Sequence, residues 1–225
     1  MAKPTYRSAE DAITFNIINE DMVKRLQRDG EIKLPKKKVA IPKDKQWNKK
    51  FIHAQTLQGI LEGESALDIA DRIFPEIMRK TDFTGLSKDE IKGITKRNRD
   101  SAIRNARTMI TSAENHGRLD SYNNLSDQGV VMVKVWQATP DERTRPTHID
   151  IDGEEQDIKE PFTNGCMYPG DGNGPAEEVW MCRCAMGSHI LGFRKANGSI
   201  SKVNYKRDET MHDRQMAEEK QRRRS

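Results

Sequence analysis

Apolar residues in the first half of the chain recur at helical spacing and predict a series of amphipathic helices. The first spans Glu10 to Asp29, where Ile13, Ile17, Ile18, Met22, Val23 and Leu26 share a face and Gly30 ends the run. Glu31 to Lys45 contains Pro35 and Pro42, and a residue before proline avoids the helical region. Ile32 with Leu34, and Val39 with Ile41, therefore predict two short strands or an extended arm. A second helix fits Lys45 to Leu61, with Trp47, Phe51, Ala54, Gln58 and Leu61 on one stripe and Gly63 as its stop. Ser65 is a good N-cap for a third, whose expected buried face is Ala70, Ile73, Phe74 and Ile77. Pro75 should kink or interrupt that helix, because proline has no backbone N–H to donate. The longest helix begins at Ser87, where Ser87 and Glu90 have capping-box spacing. Ile91, Ile94, Asn98, Ala102, Ala106, Ile110 and Ala113 carry its period to Gly117.

After Gly129 the period changes to two. Val131, Val133 and Val135 alternate with Met132, Lys134 and Trp136, which predicts a strand with at least one buried face. Glycine and proline then punctuate the chain from Pro140 to Pro175, so long regular elements cannot be what holds this segment still. Asn204 to Ser225 is nearly all charged and polar, and it predicts a frayed helix or disorder. Helices first and strands afterwards give an α+β class: a helical N-terminal region followed by a small strand- and loop-rich C-terminal module. The expected divisions are an N-terminal helix and basic arm over 1–44, a helical region over 45–125, the module over 126–195 and a charged flexible tail over 196–225.

Charge adds an asymmetry that the pattern does not show. Eleven Lys/Arg face three acids from Lys24 to Lys50, and eleven acids face three Lys/Arg from Gln137 to Trp180. The basic front, with Lys36, Lys37 and Lys38 at its centre, can meet nucleic acid through phosphate neutralisation. It reads equally well as a solvated linker, because no aromatic residue interleaves with the lysines to stack bases. No apolar run is long enough to span a membrane, and the first residues lack the apolar stretch of a secretory signal. Three cysteines cannot all pair within one chain, so a reducing compartment is expected.

Two constellations can carry chemistry. Cys182-Arg183-Cys184 with His148 upstream offers two thiolates and an imidazole, donors that suit zinc. Cys166 is a third sulfur, and Asp150 or Asp152 can add oxygen. If the Cys-x-Cys pair lies in a strand, both sulfurs share a face. By spacing alone, metal ligands and small buried apolar residues are equally good readings. Asp141-Glu142-Arg143-Thr144-Arg145, followed by His148, can build a catalytic loop or a structural lock in which Arg143 or Arg145 bridges carboxylates and carbonyls. With no nucleophile motif or phosphate loop nearby, the lock is the better reading, and no catalytic residue is assigned. In the long helix, Arg107 lies beside the apolar stripe, with Thr108, Asn115, Arg118 and Tyr122 close in sequence, and it is expected to reach inward toward the acidic module.

These residues together resemble a known family. Trp136 through Arg145, then His148, Asp152-Gly153, Phe162, Pro169-Gly170-Asp171 and Cys182-Arg183-Cys184 are similar to the C-terminal domain of phage Mu F-like head morphogenesis proteins, also called minor capsid or minor head proteins. Ala106-Arg107-Thr108 and the stretch from Trp47 to Ala70 resemble the family's helical region, so the likeness covers most of Lys45 to Phe193. Met109 stands where the family usually has glutamate, and Met181 where it usually has asparagine. The resemblance implies a few-copy protein of a tailed bacteriophage, assembled in the host cytoplasm and held inside the head near the portal. Its implied partners are the portal protein, other head components and packaged DNA, with no membrane. The expected module is a rigid knot in which His148, Cys182, Cys184 and Cys166 hold structural Zn2+. Arg107, Trp136, Asp141, Arg143, Arg145, Asp152 and Arg183 would supply its structural contacts. The competing function is a metal-assisted nuclease or hydrolase using His148 and the Asp141–Arg145 loop.

Overall fold

The computed structural model describes residues 48–79, 81–204 and 209–224. The expected helix at Glu10–Asp29, the arm at Glu31–Lys45, and Lys36, Lys37 and Lys38 lie outside the described residues.

Three helices come first in the described chain: α1 (Lys49–Leu61), α2 (Ala66–Arg79) and α3 (Lys88–Asp127). Asn48 caps α1 by accepting a bond from Phe51 N at 3.2 Å. The face that α1 buries is not the expected one. Ile52, Thr56, Leu57 and Gly59 are buried, while Phe51, Ala54 and Gln58 are exposed. A Cβ placed on Gly59 would come within 2.5 Å of Ile69 Cγ1, so α2 crosses α1 where α1 has no side chain. A count of large apolar residues does not register a contact made through threonine and glycine. Nor does Pro75 interrupt α2, which runs through it. Pro75 is exposed, so water can reach the carbonyl left without a donor.

The Ser87–Glu90 capping box forms as expected, and α3 then continues for 40 residues, past Gly117. At the usual helical rise this is about 60 Å of helix. Its N-terminal part, as far as Ala113, joins α1 and α2 in an apolar cluster built on Ile52, Leu57, Ile69, Ile73, Ala106 and Met109. Its second half supplies Leu119 to another cluster, around Trp136, Phe162 and Met186. One helix thus belongs to both cores.

The C-terminal module contains an antiparallel sheet ordered β2-β1-β3-β4, from β1 (Val130–Gln137), β2 (Glu155–Asp157), β3 (Ala185–Arg194) and β4 (Ile200–Lys202). On β1 the alternate residues Met132, Lys134 and Trp136 are buried. Two short helices, α4 (Pro146–Asp150) and α5 (Ala176–Val179), order the glycine- and proline-rich segment. The α+β class is therefore observed.

The tail differs from expectation. A capping box between Thr210 and Asp213 starts α6 (Met211–Arg222). Met216 is 2% exposed and belongs to the second cluster. Glu219, also buried, pairs with Arg223 at 2.6 Å and with Arg222. One methionine carries the apolar burial, so there was no face for periodicity to reveal. Among the described residues no helix is long and apolar enough to cross a membrane.

Candidate metal centre

Three side chains distant in sequence meet at one buried point. His148 sits on α4, a helix started by Pro146, whose fixed φ suits a first helical position. Cys182 and Cys184 do not lie in a strand, so strand alternation is not what brings them to one side. They occupy the irregular stretch leading into β3, which turns at Met181 with φ 58°. Their sulfurs still converge. Cys184 Sγ is 3.3 Å from His148 Nδ1, and Cys182 Sγ is 3.8 Å from the same atom. The three donor atoms all lie within 4.8 Å of one another, and no residue of the three is more than 3% exposed. Zinc bond lengths at tetrahedral angles separate neighbouring donors by about 3.6 Å. The two histidine–sulfur separations bracket that value, so the set has the donor types and the spacing to take such an ion.

The imidazole is oriented from behind. His148 Nε2 lies 2.8 Å from Glu178 Oε2, although off the line of a hydrogen bond, and Thr147 Oγ1 donates to that oxygen at 2.9 Å. Trp136 meets the ring edge-on at 5.0 Å. A carboxylate behind a ligating histidine leaves the other ring nitrogen for a metal. The two thiols are unequal. The bond between them comes first, lowering Cys184 and raising Cys182. Burial adds to the rise at Cys182, while His148 helps to hold Cys184 down. A cation at this point would favour both as thiolates.

Cys166 is not part of the cluster. Its Sγ packs against Gly174, where an added Cβ would come within 2.5 Å, and burial pushes its thiol up to about 12. It behaves as a small apolar residue. Asp152 is also elsewhere: its Oδ1 accepts from Ala138 N at 2.8 Å and faces His212 Nε2 at 3.0 Å. Asp150 is exposed.

The Asp141–Arg145 loop is tied on every side. Arg183, between the two cysteines, grips Asp141 with both terminal nitrogens, one of them at 2.7 Å, and this bond chiefly holds the carboxyl well below its usual range. Thr144 Oγ1 donates to Thr139 O at 2.6 Å, and Arg145 donates to Trp180 O. Arg143 points to solvent and approaches Asp141 only to 3.9 Å. From α6, Arg223 Nη2 donates to Asp141 O at 3.1 Å and Thr144 O at 2.7 Å.

The inward contact expected of Arg107 is made by its neighbours instead, because Arg107 faces solvent. Thr108 Oγ1 accepts from Met181 N at 3.1 Å, and Thr111 Oγ1 donates to Cys182 O at 3.0 Å. Asn115 Nδ2 donates to Pro169 O and Cys184 O, each at 3.1 Å, and its Oδ1 accepts from Met186 N at 2.9 Å. Short polar residues on the buried side of α3 thus latch the cysteine segment. Two further contributors left no readable signal. Glu178 gave none, and Lys134 looked like the polar side of a strand. Lys134 is in fact fully buried, donating to Met167 O at 2.7 Å with its ammonium 4.8 Å from the centre of the Phe162 ring. Desolvation brings its pKa down to about 8.

Fold and site define a class: a helical region sharing one long helix with a small α+β knot that closes on a buried histidine–cysteine–cysteine centre. The chain belongs to the phage head family described as Phage Mu protein F like protein, which it matches over residues 50–187. It is also similar to the NAD(+)--arginine ADP-ribosyltransferase EFV of Enterococcus faecalis (strain ATCC 700802 / V583), with 30% identity over 165 residues. That match covers 70% of this chain and 30% of the relative, so the chain spans less than a third of that protein's length. No solved structure matches.

Proposed function

We propose that this chain is a minor head protein of a tailed bacteriophage, acting at the portal vertex in head morphogenesis and in the handling or ejection of packaged DNA. The observation that carries this reading is the family match, which spans both α1–α3 and the cysteine knot. In purified particles the protein is expected inside mature heads and absent from heads assembled without the portal protein. Equal amounts in both kinds of head, or none in either, would overturn the portal assignment.

The knot is read as a structural zinc site held by His148, Cys182 and Cys184, with Glu178 orienting the imidazole. Zinc there would crosslink the loop after β1 to the segment before β3. Purified protein should carry one zinc per chain, and Cys184→Ser should lose it. Metal-free protein of unchanged stability would remove zinc from the account.

Among the described residues the centre has three protein donors, which is also the count of catalytic zinc sites and supports the second reading, a metal-assisted nuclease or hydrolase. Burial of all three donors and the structural contacts that Asp141, Thr144 and Arg145 already make favour structure over catalysis. Incubation with DNA and divalent metals, compared with His148→Ala, decides between them. The transferase activity named for the Enterococcus relative is not carried over, because the shared stretch is the smaller part of that protein.

A further inference from the structure

We propose that the outer face of α3, from Lys92 to Arg107, binds the phosphate backbone of duplex DNA. Two rows make this face. Lys92, Lys96, Arg99, Ile103 and Arg107 follow one another at steps of three or four, and Gly93, Arg97, Asp100 and Arg104 form the adjacent row. Six of these nine positions are cations and one is an acid. The opposite side of the same stretch holds Ala102, Asn105 and Ala106, all buried. The six cations are all exposed. Arg99 pairs with Asp71 at 2.9 Å, and Arg104 lies over the Trp180 ring at 5.8 Å. Lys92, Lys96, Arg97 and Arg107 have no ion-pair partner among the described residues.

The stretch covers about 22 Å of helix at the usual rise. Duplex DNA presents about one charge per 1.7 Å of axis, so several phosphates come within reach of one docked helix face. An acidic protein surface, such as the acid-rich module of a second copy, is the competing polyanion. The chemistry of the face argues against it. A protein interface centres on apolar residues, and the single apolar side chain here, Ile103, is partly buried in the helical core. Phosphate binding needs no apolar centre. The proposal rests on the DNA-handling reading above and adds a contact on α3 to the one expected at Lys36–Lys38.

The test is binding of a mixed-sequence duplex of about 30 base pairs to the full chain, followed by anisotropy between about 50 and 200 mM salt. The variant combining Lys92→Gln, Lys96→Gln, Arg97→Gln and Arg107→Gln should keep its helical circular dichroism, since all four side chains are exposed. It should bind at least about tenfold more weakly, and its slope of log K against log salt should flatten by about 3 to 4, at about 0.9 for each phosphate no longer neutralised. Three results overturn the proposal: no duplex binding by the unaltered chain, unchanged affinity and slope with the loss appearing in Lys36→Gln/Lys37→Gln/Lys38→Gln, or loss of self-association with DNA affinity intact. None of these touches the particle experiment, so failure here and failure of the head assignment are separable.

Discussion

Met181 is where a single residue costs the centre most visibly. It is the one non-glycine residue at positive φ among the described residues, at 58°. Its N–H is pinned to Thr108, and the carbonyl of the next residue, Cys182, is held by Thr111. A Cβ disfavours that conformation by about 1–2 kcal/mol, and asparagine tolerates it better than other side chains. An asparagine at this position, which the resemblance implies, is what the backbone favours. Met181→Asn should therefore raise stability by about 0.5–1 kcal/mol, read as a higher urea midpoint at unchanged slope. A lower midpoint would show that the methionine side chain contributes more than the strain removes. Lys134 makes a second prediction, about pH. Its folded pKa of about 8 lies below the ordinary lysine value. Between those two values the unfolded chain binds more protons, so this group makes stability rise with pH there. Cys166 acts in the opposite sense at higher pH, because its folded pKa is raised to about 12. Both chains keep Cys166, so the stability difference between the unaltered protein and Lys134→Met isolates the lysine. That difference should grow in favour of the unaltered protein from pH 8 upward, and a flat difference would mean the ammonium is solvated.

Among the elements, α6 has the least sequence signal for the contacts it makes. Met216 is the side chain it buries, and Arg223 supplies two bonds to the Asp141–Arg145 loop. Met216→Ala should cost about 2–4 kcal/mol. The control is Met211→Ala on the same helix, 75% exposed, which should stay within about 0.5 kcal/mol. If the two variants unfold alike, α6 is not docked as described. The same contrast explains what the sequence made legible. The start of α3 could be read because the Ser87–Glu90 box is a local bond between fixed positions. The period of β1 could be read, but not that its lysine would be buried, because that depends on Met167 O and Phe162 arriving from elsewhere. The buried face of α1 is not legible in the sequence, because its contact runs through Thr56 and Gly59. At the centre, His148, Cys182 and Cys184 were legible as a donor set, since few residue types supply such chemistry. Cys166 shares their residue type but not their position, because it packs against Gly174. Glu178 could not be found, because a lone glutamate on a short helix has no pattern. Thr108, Thr111 and Asn115 carried a faint signal, as polar residues on the inner side of an otherwise apolar helix.

At the scale of the molecule, α3 makes two cores into one structure. The cluster built on α1, α2 and the N-terminal part of α3 contains none of the centre's donors, while the second cluster includes Cys182 and Cys184 and surrounds His148. Loss of a bound metal should therefore act unevenly. If zinc holds the knot, chelation removes the crosslink between α4 and the segment before β3, and the second cluster loses its closure. The first cluster keeps every contact it has. Chelated protein should retain most of its far-ultraviolet helical signal and lose near-ultraviolet signal from Trp136, which packs against His148 and Phe162. Heating should then give two transitions in place of one, the lower belonging to the module. A weakening of about 3 kcal/mol would lower that transition by about 12–24 °C, because the unit that melts is the module of roughly 100 residues and not the whole chain. Simultaneous loss of both signals would mean that α3 transmits the damage and that the cores fold as one unit. Unchanged signals in protein shown to have carried zinc would mean that the Asp141–Arg183 and Arg223 contacts hold the knot without it. The chelated double variant Asp141→Asn/Arg223→Ala separates those cases, because it removes the contacts on which a metal-independent knot would depend.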